Sequence, residues 1–385
     1  MSALRAVVVR PGRSSYGEIR RTQTWLRLFR AAGGEADDLG FLARGSLGPS
    51  VRDPWRLARS SIVPEAIVWN GPRLAERIRR LEPDVVVMQT ARSYRPELCD
   101  GAWVPILDLV DRLSASYHQR AALASNGAKR AVLNRLAAAH GRFEESARER
   151  VQNIVAAGWG DSAHLGATWV PNLVDPTERP RAVTGKPYDA VFFGSLGYAP
   201  NVEALRWLAR GRPTDADLRI LVAGHAPTDE VRSLCRDRGW KLVEDYPSNE
   251  WLSRQATISL APLRSTAGIQ NKVLEAAALG LPQVVAPPAL AGLANGFPAV
   301  VAETPEDFVA RARSLVDNIA SRTQLADDAW AYAHEHYTVD SWLPTLWQLV
   351  NPSEDVAPAW VTSGSNRPMQ TGTDLGGDDM LRDGS

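Results

Sequence analysis

The residues best suited to chemistry in this chain lie between Leu260 and Pro282. An apolar run, Leu260-Ala261-Pro262-Leu263, gives way to Arg264-Ser265-Thr266-Ala267-Gly268 and then to Ile269-Gln270-Asn271-Lys272-Val273-Leu274-Glu275-Ala276. The pattern predicts strand, loop and helix, with Gly280-Leu281-Pro282 as the helix end. Ser265 or Thr266 is expected to cap the helix, and Gly268 would let the backbone approach a ligand closely. The free N–H groups and the dipole of a helix start make an anion site. Arg264 and Lys272 add positive charge beside it, and a diphosphate is the natural guest. Lys272 stands out because only four of the 44 basic residues are lysines. Glu275 would lie roughly 10 Å from Gly268 at about 1.5 Å per residue. From there its carboxylate could accept two hydrogen bonds from a ribose diol. The same residues also read as an ordinary crossover helix with a solvated lysine and glutamate.

Other candidates are weaker. Asp108 and Asp111 follow a strand-like run, where ligands of α/β sheets gather, and helix capping fits them equally. His118 lies near Asp111 in sequence and faces either a cleft or solvent. Glu18 reads as a first-turn carboxylate favoured by the helix dipole. Arg20-Arg21 would contact an anionic acceptor or solvate a helix face. His334-Glu335-His336 lacks the i, i+4 spacing of a helical zinc site and reads as a solvated helix end. Asp37-Asp38, Asp327-Asp328 and Asp378-Asp379 look like helix or tail charges. Of the 13 tryptophans, Trp25, Trp207, Trp330, Trp342 and Trp347 fall on apolar faces. Trp55 and Trp69, with Arg44, Arg52, Arg56 and Arg59, suggest a docking surface for a sugar or for an acidic or membrane-linked acceptor.

The elements that must position these residues alternate. Ala6–Val9, Val85–Met88, Val104–Val110 and Val151–Ala157 read as buried strands, as do Ala190–Phe193, Leu218–Ala223, Ile258–Leu260 and Val284-Val285. Helical patterns separate them: Glu18 to Phe29, Pro72 to Leu81, one long Ala/Arg-rich stretch over 114–150, and Val202 to Leu208. Short apolar strands alternating with helices predict parallel sheets covered on both faces. The proline-rich segment 171–187 reads as an interdomain linker. The expected organisation is 1–175, 176–337, a final helix over 338–350 crossing back to the first domain, and a disordered tail over 351–385.

With these residues in view, a family resemblance becomes plain. Gly268-Ile269-Gln270-Asn271-Lys272-Val273-Leu274-Glu275-Ala276 resembles the donor motif of the retaining, two-domain glycosyltransferases of family 4. It is especially similar to the sugar transferases associated with bacterial exosortase and exopolysaccharide loci. Phe192-Phe193-Gly194-Ser195-Leu196-Gly197-Tyr198-Ala199-Pro200-Asn201-Val202 resembles the loop that opens the family's second domain. Tyr16-Gly17-Glu18-Ile19-Arg20-Arg21, Leu107 to Asp111 and Pro171 to Asp175 also have counterparts. The resemblance implies the GT-B fold: two Rossmann-like doubly wound α/β domains around a deep cleft. It implies transfer of a sugar from a nucleotide diphosphate donor with retention, no cofactor and no metal. Arg264 and Lys272 would neutralise the leaving diphosphate. Gly194, Ser195, Gly268, Ile269, Gln270, Asn271 and Glu275 would hold the donor, with its base near Tyr246. Gly12, Gly17, Glu18, Arg20, Asp111 and His118 would line the acceptor side. The acceptor would be a glycan, a lipid-linked molecule or a small molecule. One departure matters: many family members carry a second glutamate eight positions before the one matching Glu275, and this chain has Ala267 there.

Composition narrows the alternatives. The formal charge is zero, with 44 basic and 44 acidic residues, which argues against nucleic acid as a partner. The chain's 385 residues suggest two domains of about 100–200 residues each. Cys99 and Cys235 have no partner at metal spacing and predict reduced, buried thiols and a cytoplasmic setting. No apolar run spans a bilayer, no signal peptide precedes the first strand, and a peripheral membrane contact stays open. A nicotinamide oxidoreductase would need G-x-G-x-x-G in the first loop, and Arg10-Pro11-Gly12-Arg13-Ser14-Ser15 fails it. A catalytically silent nucleotide-sugar binder or partner protein, and a nucleotide-sugar epimerase, are the other readings.

Overall fold

The computed structural model describes residues 3–11, 16–41, 71–122, 124, 126–175, 177–178, 185–212, 218–265 and 268–351. Gly12, Thr266, Ala267, the 42–70 segment with Trp55, Trp69 and its arginines, and the tail from 352 onward lie outside the described residues.

Strands β1 (Arg5–Pro11), β2 (Glu35–Phe41), β3 (Val85–Gln89), β4 (Val104–Val110), β5 (Asn153–Ala156) and β6 (Thr168–Trp169) build one sheet. Its order is β2-β1-β3-β4-β5-β6, and every pair is parallel. Ala6 to Val9 and Val85 to Met88 have no solvent exposure, because helices cover both faces of a parallel sheet. Those helices are α1 (Tyr16–Ala31), α2 (Gly71–Arg79), α3 (Leu113–Ala122), α4 (Gly127–Ser146) and α5 (Trp159–Leu165). The expected single helix over 114–150 is two. Asn126 Oδ1 accepts from the N–H groups of Ala128 and Lys129 and starts α4 anew. Strand β2 has no apolar run to announce it. Its ladder with β1 holds it at the sheet edge, with Asp38 2.8 Å from Arg10. Asp37-Asp38 is therefore strand, not helix or tail.

The second sheet contains β7 (Tyr188–Ser195), β8 (Ile220–His225), β9 (Lys241–Glu244), β10 (Ala256–Ala261), β11 (Gln283–Val285) and β12 (Val300–Val301). Its order is β12-β11-β10-β7-β8-β9, again all parallel. Its helices are α6 (Ala199–Arg210), α7 (Asp229–Arg238), α8 (Asn249–Gln255), α9 (Asn271–Ala278), α10 (Pro305–Asp317) and α11 (Ile319–His336). The strand order reverses between β7 and β10. Such a switch point opens a crevice at the carboxyl ends of the strands.

One apolar core joins the two units, running from Val8 through Trp169 to Phe192. Trp169 meets Trp159, Tyr337 and Trp342 edge-on, with centroids 4.9, 5.9 and 4.9 Å away. The last helix, α12 (Val339–Val350), lies against α1, and its Leu349 carbonyl accepts from Asn153 Nδ2 at 3.1 Å. Trp25, Trp207 and Trp342 are buried, whereas Trp330 and Trp347 are half-buried. The His334 end of α11 is not simply solvated. Its Nδ1 lies 2.8 Å from the Trp330 carbonyl and its Nε2 accepts from Thr177 N–H at 2.9 Å. These partners assign the ring proton to Nδ1. Cys235 is buried and Cys99 half-buried, and both are free thiols.

Arg21 and Asp108 form a fully buried pair, at 2.6 and 3.1 Å through two guanidinium nitrogens. Arg21 also donates to the Val170 carbonyl at 2.6 Å, and Trp25 Nε1 donates to Asp108 at 2.7 Å. The arginine is thus neither a solvated residue nor an acceptor contact. Removing one partner of a buried pair strands the other and costs about 3–5 kcal/mol. Asp108→Asn is expected to destabilise the first domain by about that amount, read as an earlier chemical unfolding transition of the variant.

Candidate functional site

The carboxyl ends of the two sheets face each other, and most of the sequence candidates meet there. Helix α9 starts the site. Its cap residue is Gln270, with no side-chain capping bond. Ser265 therefore does not cap it, because Gly268, at φ +60°, turns the chain before the helix begins. The first N–H groups of such a helix have no intrahelical acceptor. Lys272 occupies the first turn. Its Nζ donates to Asn201 Oδ1 at 2.7 Å and lies 4.3 Å from the centroid of the Phe192 ring. Asn201 Nδ2 in turn donates to the Ser195 carbonyl at 2.7 Å. Gly194, next to last in β7, has φ +137°, and a Cβ there would come within 3.4 Å of Lys272 Nζ. Lys272 is thus aimed into the β7–β10 crevice. Burial pushes its ammonium down to about 7, against an upward pull from Glu275.

Glu275 is buried one turn further along α9, and Arg20 Nη2 of the first domain lies 3.1 Å from its Oε1. The expected donor and acceptor sides therefore touch. Asn172 Nδ2 donates to Asn271 Oδ1 at 2.8 Å, tying the linker to the start of α9. Ile269 packs into the core, so only its backbone is left to meet a ligand. Gln270 is half-buried at the cap. Tyr246 follows β9, donates to Asn249 Oδ1 at 3.1 Å and stacks on Trp251. Arg264 is exposed and drawn elsewhere: it lies over the Trp207 ring at 5.2 Å and reaches the Glu303 carbonyl.

On the first domain, Glu18 pairs with Arg92 at 3.0 Å, and its carbonyl accepts from Gln89 Nε2 at 2.7 Å. A Cβ on Gly17 would meet open space. His118 sits exposed on α3. Asp111 closes directly on the second domain: a Cβ on Gly268 would overlap its Oδ1. Asp108 Oδ1 accepts from the Val110 N–H at 3.0 Å, and Val110 has φ +64°, a strained value for a β-branched residue. That turn aims Asp111 into the cleft. Asp161, at the start of α5, accepts from the Arg112 N–H at 3.4 Å, and its carboxylate stands beside Gly268. The Trp159 N–H donates to the Gly292 carbonyl at 3.0 Å. Asn201, Asn172 and Asp161 were not singled out as site residues from the sequence. Of these, Asn201 and Asn172 lie within stretches that the family resemblance covered, and Asp161 lies in none. Among the described residues, no group of three or more His, Cys, Asp or Glu could hold a metal ion.

Residues 187–318 match a family model described as glycosyl transferases group 1. No curated protein matches the chain. Solved structures do. A sucrose-phosphate synthase from Thermosynechococcus elongatus superposes with TM-score 0.66 at 11% identity, covering 91% of this chain and 98% of that one. A glycosyltransferase from Rickettsia africae gives 0.63 at 9% identity, covering 91% and 99%. The Anabaena protein Alr3699/HepE, in complex with UDP and glucose, gives 0.60 at 12% identity, covering 91% and 100%. The likeness establishes the fold: two parallel-sheet α/β domains of the GT-B type.

Burial pushes the Asp111 carboxyl up to about 7 from 3.8, with Asp161, Asp108 and Glu18 adding to the rise and Arg21 opposing it. A raised carboxyl favours the folded, closed arrangement at low pH. That contribution is lost as pH climbs from about 4 to about 7, by up to about 1.4 kcal/mol per unit. Asp111→Asn is expected to melt near wild type at pH 4 and above it at pH 8. A difference that does not change with pH would rule out this origin.

Proposed function

We propose that the chain transfers a sugar from a nucleoside diphosphate donor to a hydroxyl acceptor. One observation carries this reading: Lys272, held by Asn201 at the first turn of α9, points into the switch-point crevice beside Gly194. A cation, uncapped helix N–H groups and a side-chain-free strand end together suit a diphosphate. The group 1 family match over residues 187–318 supports the same reading.

In this reading the donor diphosphate lies against Gly194, Ser195, Lys272 and the Gly268–Asn271 backbone. Arg264 swings from Trp207 to add charge. Glu275 accepts from the ribose diol, and the base stacks near Tyr246. The bond from the anomeric carbon to the diphosphate oxygen breaks, and a bond from that carbon to the acceptor oxygen forms on the same face, with retention. The acceptor proton passes to the departing diphosphate, whose growing charge Lys272 and the helix start stabilise. No metal is required, because the fixed positive groups do that work. Gly17, Glu18, Asp111 and His118 border the acceptor, a glycan, lipid-linked or small hydroxyl compound in the cytoplasm. Among the described residues no helix is long and apolar enough to cross a membrane. A second reading, donor binding without transfer, draws on alanine at position 267. Turnover of any nucleotide sugar separates the two.

The test is a thermal-shift screen of nucleoside diphosphates and their sugars, beginning with uridine diphosphate, the nucleotide bound in the HepE structure. Ligand binding to the folded state raises the melting temperature. One nucleotide is expected to do so, with affinity reduced about 10- to 100-fold in Glu275→Ala, the loss of hydrogen bonds to a charged group. If no nucleotide moves the wild type, the donor site is misassigned.

A second outcome follows from Lys272. Free, it titrates near 7; beside a diphosphate its ammonium is favoured. At pH 8 binding should take up close to one proton, visible as buffer-dependent calorimetric heats. Affinity should fall as pH rises above about 7. Lys272→Ala should abolish the uptake.

A further inference from the structure

Two contacts across the cleft share an unusual character. In each, a first-domain group occupies a second-domain group that an anionic, hydroxyl-bearing ligand would need. Arg20, on α1, sits 3.1 Å from Glu275, with the two side chains only 20% and 9% exposed. Asp161, on α5, holds its carboxylate beside Gly268, just before the helix start that holds Lys272: a Cβ on Gly158 would lie 3.1 Å from Asp161 Oδ2 and 3.5 Å from Gly268 Cα. A guanidinium offers a carboxylate parallel N–H donors, much as a vicinal diol offers two O–H donors. A carboxylate beside a helix start stands where a phosphate oxygen would.

The two contacts are independent in sequence and in element, yet they act on the two ends of one α9 segment. We propose that the first domain carries a built-in substitute for the donor: Arg20 in place of its diol and Asp161 in place of its anion. This rests on the donor-site reading of α9 given above. Ligand and substitute then exclude each other. Asp111 strengthens the exclusion by its bulk, because its Oδ1 already fills the space beside Gly268 that a ligand on the α9 start would need. Donor entry must therefore withdraw the first domain from Gly268 and release Arg20 from Glu275. The affinity measured for a nucleotide is thereby reduced by the fraction of molecules held in the self-occupied form.

The experiment compares wild type, Arg20→Ala and Asp161→Asn. Affinity for uridine diphosphate and the other nucleoside diphosphates is read by calorimetry. The ligand-free radius of gyration is read by X-ray scattering, with circular dichroism confirming folding. Each variant is expected to bind its nucleotide about 3- to 10-fold tighter, the scale of a partly screened ion pair and the population it holds. Each is also expected to be more expanded without ligand. Unchanged or weaker binding in both variants, in a protein whose wild type does bind nucleotide, overturns the proposal. An expanded variant with no nucleotide bound by any form overturns the donor-site reading. The competition falls with it, and the contacts are left as a plain interdomain latch.

Discussion

The buried Arg21–Asp108 pair is the constraint on which the cleft depends. Asp108 has four partners: two guanidinium nitrogens, the Trp25 indole and the Val110 N–H. The last of these bends the end of β4 into a left-handed turn and so fixes where Asp111 points. The first two fix the rotation of α1. Successive residues on a helix lie about 100° apart, so a buried Arg21 leaves Arg20 facing sideways toward α9. One ion pair, costly to desolvate and fully satisfied, thus places two of the first-domain groups that reach the second domain, Arg20 and Asp111.

The second sheet contributes its own constraint. Because β7 and β10 are neighbours but far apart in sequence, the segments that follow them diverge. Gly194 is next to last in one and Gly268 follows the other, each with positive φ. A side chain at either would crowd Lys272 or Asp111. The crevice exists because of strand order, and it stays open to a ligand because neither glycine fills it. Lys272 enters this space with one neutral oxygen partner and an aromatic face, which explains why its charge is weakly held until an anion arrives.

Much of this was legible in the sequence, for physical reasons. Strands β1 and β3 carry continuous apolar runs, Ala6–Val9 and Val85–Met88, the signature of burial on both faces. The α9 segment combines loop glycine, lysine and glutamate at spacings that any anion-binding helix start would use. What escaped has equally physical causes. Strand β2 reads Glu-Ala-Asp-Asp-Leu-Gly-Phe and is a strand only because β1 offers it a ladder. The break between α3 and α4 turns on a single side-chain cap, Asn126. Arg20 and Arg21 are indistinguishable as a dipeptide, and only the packed helix sends one to Asp108 and the other to Glu275. Contacts such as Asn172–Asn271 and Asp161–Gly268 join residues about a hundred positions apart, where no local pattern carries information.

The two regions that join the domains divide the work by chemistry. At the hinge the contacts are apolar and aromatic: Trp169 is enclosed by Trp159, Tyr337 and Trp342. The two chain crossings are also bonded to each other there, through Val174 N–H to the Tyr337 carbonyl and Thr177 N–H to His334. At the mouth the groups are polar: Arg20 against Glu275, the Asp161 carboxylate beside Gly268, and Asn172 bonded to Asn271. Water replaces a polar contact at little net cost, whereas exposing an aromatic cluster costs about 25 cal/mol for each Å² uncovered. Opening therefore proceeds at the mouth and pivots at the hinge. Any ligand that satisfies the mouth groups better than the first domain does will decide when it happens.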